Sequence, residues 1–267
     1  MSWLQVKQGE APLVIAFPHT GTDLADVADR FQSPWLARRD ADWWVDHLYA
    51  FASQLGATTV RTAISRSVVD VNRDPSGASL YPGQATTGLC PVTTFDGEPL
   101  YDSVEPDEDE IARRRKAWFD PYHDHLSAEI SRLRAIHPRV VLYDAHSIRS
   151  RIPYLFDGEL PQFNIGTNGG STCDPTLSSA IFDICGASGR SSVLNGRFKG
   201  GWTTPHYGMP DKGVHAIQME LAIRGYLEEP DAIDENNWPP AFDAAVAEPL
   251  QSILSDILKA CLAFATH

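Results

Sequence analysis

Six polar residues of this sequence stand where proteins usually do chemistry. His19 closes the apolar run LVIAFPH (13–19), and Asp144 and His146 close RVVLYDAHS (139–147). Asn72 and Arg73 end VVDVNR (68–73), and Glu220 lies near the end of VHAIQMEL (214–221). Short apolar runs of this kind read as buried strands, and in open α/β sheets ligands bind beyond the carboxyl ends of the strands. One strand-end histidine alone reads best as a satisfied structural residue. Two of them, His19 and His146, in the same relation to two strands point to a shared site. Two imidazoles with one carboxylate suit a catalytic zinc ion that keeps a position for water, and a second carboxylate can then act as base. Asn and Arg are natural partners for a substrate that carries carboxylates. Asp144 could orient a metal ligand from behind or cap the strand end.

The elements that must position these residues follow in order. Residues 40–56 (DADWWVDHLYAFASQLG) have helical periodicity, with Trp44, Leu48, Phe51 and Leu55 on one face and Gly56 as the stop. Asp42 and Asp46 lie four apart on another face, where acids ordinarily meet solvent. Strands are expected at 57–65 and 68–73, followed by a Pro/Gly/Thr-rich loop at 74–105. A loop of that length is usually a lid or a binding loop. A helix is expected over 106–137, acidic at its start and kinked or split by Pro121. His123 and His125 follow the break as surface or packing residues, and His123 could face the site. After the strand at 139–147 comes a loop with Arg149 and Arg151, then a strand at 163–168. A helix over 174–188 has Asp174 as its cap and Pro175 in its first position. A short strand at 191–195 precedes a glycine-rich, aromatic and basic segment, 196–213. On the strand 214–221, Glu220 shares a face with Gln218, Ala216 and Val214, so it is either exposed at an edge or held in a cleft. An amphipathic helix over 240–265 ends the chain. Strands alternating with helices predict an α/β fold, three-layered, with a mixed and mostly parallel sheet, in one domain over 1–267.

Composition narrows the function. The chain of 267 residues is 43% hydrophobic and 21% charged, ordinary for a globular protein. No apolar run approaches the roughly 18 residues of a membrane span, and the N-terminus lacks the basic start and apolar core of a signal peptide, so the cytoplasm is expected. Cys90, Cys173, Cys185 and Cys261 are scattered and form no CxxC pair, which speaks against a disulfide framework or a cysteine zinc knot. A net charge of -13 argues against nucleic acid as a partner. There is no GxSxG elbow, and GTNGGS (166–171) is neither a dinucleotide fingerprint nor a P-loop.

Longer motifs carry a family resemblance. FPHTG (17–21), SRSVVDVNRDPSGASLYPGQATTGLCP (65–91), LYDAHSIRSRIP (142–153), GELPQFNIGTNGG (158–170), NGRFKGGWTTPHYG (195–208) and HAIQMEL (215–221) closely resemble the N-formylglutamate deformylase (N-formylglutamate amidohydrolase) family, up to about residue 227. That family is similar in fold to the zinc carboxypeptidases and the aspartoacylase-type deacylases. The resemblance implies a zinc-exopeptidase-like fold, with His19 and His146 on a metal, Asn72 and Arg73 on the substrate, and Glu220 as base. The distant relatives place an acid three residues after the first histidine, where this chain has Thr22. The candidates for that ligand are Asp46 and Asp23. Asp46 is favoured because acid-rich helical segments of this kind recur at this place in the family.

The expected activity is therefore metal-dependent hydrolysis of N-formyl-L-glutamate to formate and L-glutamate, which the resemblance places last in histidine degradation. Zinc would polarise the formyl oxygen and acidify water. Glu220 would move the proton to the leaving amine, and Arg73 or Arg66 would stabilise the oxyanion. A dianionic substrate on an acidic protein needs local cations. Arg66, Arg73, Arg149, Arg151, Arg197 and Lys199 all lie in loops near predicted strand ends. Trp202 and Tyr207 are bulky enough to exclude larger acyl groups. Other readings are a deacylase of another N-acyl amino acid, such as N-acetylaspartate or N-succinylglutamate, a non-catalytic metal-dependent binder of acidic amino acids, and a metal-free amidase. Zn fits the ligand types, and Co, Ni or Mn could fill the same site. The sequence is silent on oligomeric state.

Overall fold

The structure, a computed structural model, describes residues 3–78 and 86–266. Residues 79–85, part of the long loop expected at 74–105, lie outside the described residues. A seven-stranded sheet forms the scaffold. Its strands are β1 (Leu4–Lys7), β2 (Leu13–Phe17), β3 (Thr58–Thr62), β4 (Val140–Ile148), β5 (Phe163–Gly166), β6 (Ser192–Leu194) and β7 (Val214–Ala222), in the order β1-β3-β2-β4-β7-β5-β6. Strands β3, β2, β4 and β7 are parallel neighbours, β1 is antiparallel to β3, and β5 is antiparallel to β7. The carboxyl ends of β2, β4 and β7 therefore share one edge of the sheet.

Strand parity divides the side chains between two cores. Leu13, Ile15 and Phe17 of β2 and Val141, Tyr143 and Ala145 of β4 pack on one face. That face is covered by α5 (Pro175–Ala187) and α7 (Ala244–Thr266). Val14, Ala16, Val140 and Leu142 pack on the other, against α4 (Asp120–Arg134). Strands buried on both faces read as unbroken apolar runs, which is why β2 and β4 were legible. The three-layer, mixed and mostly parallel sheet is the architecture that the alternation of elements predicts.

The segments near the site depart from expectation. The helix over 40–56 does not form as one piece. A short α1 (Leu36–Arg39) precedes it, and 40–56 itself yields only α2 (Val45–Leu48) and a 3-10 turn (Ala50–Leu55), with Trp44 in the left-handed region at φ 62. The backbone N–H of Asp42 donates to His19 O at 2.9 Å, which ties the start of this segment to the residue beyond β2. VVDVNR forms a turn rather than a strand. Val68 N–H donates to Ser65 O, Arg73 N–H to Asp70 O, and Asn72 N–H to Asp70 Oδ1, so local bonds take the groups a strand would need. The helix over 106–137 appears as α3 (Glu108–Arg114), a π-helical turn (Arg115–Phe119) and α4. The wide turn just before Pro121 accommodates its ring and its missing N–H. Within the glycine-rich segment lies α6 (Thr203–Tyr207). The last helix starts at Ala244, four residues later than expected, where the Asp243 side chain accepts from Ala245 N–H. Strand β1 was not expected. Among the described residues no helix is long and apolar enough to cross a membrane.

Candidate metal and hydrolytic site

The site grows from strand parity. On the α4 face, β4 presents Val140, Leu142, Asp144 and His146, and β7 presents Val214, Ala216, Gln218 and Glu220. Both strands begin apolar and end polar on the same face. Register pairs Asp144 with Gln218 and His146 with Glu220. His19 arrives two residues beyond β2, and Asp42 reaches in from the broken segment after α1.

His19, Asp42 and His146 are all buried, and one ligand atom of each lies within 4.8 Å of the others. The Nδ1 atoms of the two imidazoles are 3.2 Å apart, and Asp42 Oδ2 lies 3.0 Å from His146 Nδ1 and 3.7 Å from His19 Nδ1. Each outer ring nitrogen meets its own carboxylate: His19 Nε2 is 2.6 Å from Asp70 Oδ1, and His146 Nε2 is 3.0 Å from Asp144 Oδ2. Those carboxylates fix the tautomers, with the protons on Nε2 and the Nδ1 lone pairs turned inward. Three acceptors then face one another, and Asp42 Oδ1 is buried without a hydrogen-bond donor among the described residues, Arg66 Nη1 standing off at 3.7 Å. Such a group needs a proton or a cation between its members. Zinc bonds of about 2.0–2.1 Å place neighbouring tetrahedral ligands roughly 3.3 Å apart, so the spacing of the two imidazoles fits a single small metal ion.

The charges follow the same geometry. Burial pushes Asp42 upward, but His19 and His146 outweigh it and hold the carboxyl below its ordinary range. Asp70 is likewise penalised by burial, yet Arg73, His19 and Arg66 hold it well below the usual value. His146 is pushed down by burial and driven well above its ordinary value by Asp144 and Asp42. Glu220 goes the other way: burial raises it to about 8, with His146 and Arg66 pulling back. Its Oε2 accepts from Gln218 Nε2, whose Oε1 accepts from Gly201 N–H at 2.7 Å. A side chain at Gly201 would come within 2.4 Å of the Asn72 amide, so glycine is required there.

A cleft of about 830 Å³, counted to its open mouth, leads to this group. Arg66, Arg73 and Arg197 line it, together with His19, His146 and Glu220. Arg66 Nη2 donates to Asp70 Oδ2 at 2.8 Å, its Nη1 stands 3.7 Å from Asp42 Oδ1, and Phe95 lies beneath its guanidinium. Arg73 is tied to Thr87 and lies 3.6 Å from Asp70.

Several predicted residues stand elsewhere. Asp46, favoured as the third ligand, is half-buried and pairs with Arg61 and His47. The spacing of four that put it beside Asp42 does not hold once the helix breaks at Trp44. Asp23 is exposed and accepts from Ala25 N–H. Arg149 turns away from the cleft to Asp96 and Asp40, and Lys199 is exposed outside it. Arg151 is exposed and pairs with Glu159. Asn72 lines the cleft with its amide already engaged, Nδ2 donating to Asp144 and Oδ1 accepting from Thr203 N–H. Trp202 and Tyr207 pack around His123, while the aromatic lining of the cleft is Phe95, Tyr154 and Phe198. The reading of the sequence missed Asp42 as a ligand and Asp70 altogether. The one signal for Asp70 is an acid inside an apolar run, VVDVNR.

A three-layer α/β sheet with a His-Asp-His group and a buried glutamate at its strand ends defines a hydrolase-like cleft. The chain belongs to the N-formylglutamate amidohydrolase family, whose model matches residues 11–227. It is 44% identical to N-formylglutamate deformylase of Pseudomonas aeruginosa and 45% identical to that of Pseudomonas putida, each over 264 residues, covering 98% of this chain and 96% of the relative. The fold is shared with the crystal structure of N-formylglutamate amidohydrolase from Ralstonia eutropha JMP134 (TM-score 0.79, 22% identity, 99% of this chain and 98% of the other). A gene product of Agrobacterium tumefaciens has the same fold (TM-score 0.68, 19% identity, 97% and 96%).

Proposed function

We propose that this chain hydrolyses the amide bond of N-formyl-L-glutamate to formate and L-glutamate, with a metal ion held by His19, Asp42 and His146. One observation carries the reading: three inward-facing acceptors, one with an oxygen that has no donor among the described residues, sit beside a buried glutamate in an arginine-lined cleft of a protein with net charge -13. A metal ion held there, zinc by its ligand types, would polarise the formyl oxygen and acidify a water molecule. Glu220 takes the proton from water as the new carbon–oxygen bond forms, and returns it to the nitrogen as the carbon–nitrogen bond breaks. A carboxyl raised to about 8 can hold and release a proton near neutral pH, which a group acting first as base and then as acid requires. Arg66, beside Asp42, faces the developing oxyanion. Arg73 and Arg197 on the cleft walls take the two carboxylates of the substrate. Asp70 and Asp144 keep the imidazoles in the tautomer that turns Nδ1 inward. We assign the reaction to histidine degradation on the family resemblance. We place the protein in the cytoplasm because its four cysteines are buried and unpaired.

Replacing Glu220 with Gln keeps shape and removes the base. Formate release should fall about a thousandfold, while metal content and the folded spectrum stay those of the wild type. Undiminished formate release by Glu220→Gln refutes the role of Glu220, and full turnover after exhaustive chelation refutes the metal.

A further inference from the structure

We propose that Asp96 is a positioning residue: by bridging Arg39 and Arg149 it latches the hairpin 93–99 so that Phe95 holds Arg66 in place in the cleft. The inference rests on the reading of Arg66 as the residue that faces the developing oxyanion. The hairpin is small. Thr94 N–H donates to Glu98 O, Gly97 N–H to Thr94 O, and Leu100 N–H to Val92 O. Gly97 has a φ of 82, which favours glycine at the tip. Within 93–99 only Phe95 belongs to an apolar core, a minor one with Ile148, Ile152 and Leu160. So little burial would not by itself fix one conformation.

Charge supplies what packing lacks. Asp96 Oδ2 lies 2.6 Å from Arg149 Nη2 and 2.8 Å from Arg39 Nη2, and Glu98 pairs with the same Arg39. Asp40 holds the hairpin from below, its Oδ2 accepting from Phe95 N–H at 2.6 Å. The side chains of Arg39 and Arg149 are only 5% and 9% exposed, so these are mostly desolvated partners for Asp96. Desolvated ion pairs add little net stability, and their best-attested contribution is to fix one geometry. Here the geometry fixed is that of Phe95, whose ring centre lies 4.7 Å from the guanidinium carbon of Arg66. Asp70 and Asp42 hold Arg66 at its nitrogens, and Phe95 holds its face. Without the latch, Arg66 keeps its carboxylates and loses the wall that sets its plane.

The test is kinetic, with N-formyl-L-glutamate as substrate and the intact protein. Asp96→Ala and the isosteric Asp96→Asn should lower kcat by about tenfold, the scale of one cation–aromatic contact. The KM should stay within about twofold, because Arg73 and Arg197, which take the substrate's carboxylates, are untouched. Asp96→Glu should recover most of the loss. Phe95→Leu should lower kcat similarly, and combining it with Asp96→Ala should add nothing, because both act through one contact. An unchanged kcat in both Asp96 variants, or additive losses in the double variant, would overturn the proposal. Hydrogen exchange at the 94–97 amides should accelerate in Asp96→Ala, and unaltered exchange would also overturn it. A wild type that releases no formate overturns the proposed activity instead, and the exchange experiment then decides the latch alone.

Discussion

Two clusters of buried charge meet on the short segment 39–42 and differ in what they leave unsatisfied. On one side, Arg39 and Arg149 lie against Asp40, Asp96 and Glu98, so that each carboxylate has a guanidinium. On the other, Asp42 joins His19 and His146, three acceptors converge, and one carboxylate oxygen has no donor among the described residues. Both set acids against basic side chains, arginines in the first and histidines in the second. What the first cluster leaves over is donors: Arg39 Nε and Nη2 and Arg149 Nε are buried without a hydrogen-bond partner among the described residues. What the second leaves over is acceptors, which call for a further positive charge, and incomplete polar groups in a native core call for an explanation. Asp40 and Asp42, two residues apart, fall on opposite sides of that division.

The sharpest way to break the comparison is at the third ligand. Asp42→Asn should lower formate release by about a thousandfold, equivalent to roughly 4 kcal/mol of lost transition-state stabilisation, and should purify with far less metal. Asp46→Asn should stay within about twofold of the wild type in both respects, because among the described residues Asp46 pairs only with Arg61 and His47. Elemental analysis beside the formate assay reads both. The reverse pattern would return the ligand to Asp46.

A smaller effect separates the clusters one layer further out. Asp144→Asn keeps the bulk behind His146 and removes the charge that orients it. Metal affinity should fall by about 10–100-fold, the usual cost of losing such a partner. Arg149→Gln, in the arginine cluster, should leave metal affinity within about twofold. Competition with a chromophoric chelator measures both, and equal losses would mean that the two clusters act as one.

Much of this was legible in the sequence, and for a physical reason. His19 and His146 end strands buried on both faces, so unbroken apolar runs announce those strands and the polar residues at their ends stand out, while the alternation of VHAIQMEL places Glu220 on one face near a strand end. The third ligand was not legible, because it sits where periodicity misleads. Residues 40–56 carry a helical pattern of apolar residues, yet the chain takes a left-handed turn at Trp44, and the backbone of Asp42 is tied to His19 O. Tertiary structure overrode local propensity, and the choice between two acids four apart turned on it. Asp70 was hidden differently: VVDVNR has the composition of a strand, and only the bonds its own aspartate makes turn it into a loop. The arginines were over-counted for a simpler reason. Proximity to a strand end in sequence does not say which way a loop turns, and Arg149 turns towards Asp96.

The smallest effect concerns a buried group outside both clusters. His123 on α4 braces the turn that carries Asp70 and Asn72, its Nε2 lying 2.7 Å from Val71 O, with the Tyr207 hydroxyl 3.0 Å from Nδ1. Nε2 must therefore carry the proton and donate. Burial drives the imidazole down to about 3, with the bond to Val71 pulling back. The unfolded chain protonates His123 near its ordinary value of about 6.5, while the folded chain does so only near 3. Between those values the unfolded state binds more protons, so stability falls as pH falls. At pH 4.5 the loss from this group should be roughly 3 kcal/mol relative to pH 7. His123→Gln can still donate to Val71 O but does not titrate, so its urea midpoint should drop less between pH 7 and 4.5 than that of the wild type. Its metal content at pH 7 should be unchanged, because His123 touches neither cluster. Equal acid sensitivity in the two proteins would show that the turn stands without a neutral imidazole behind it.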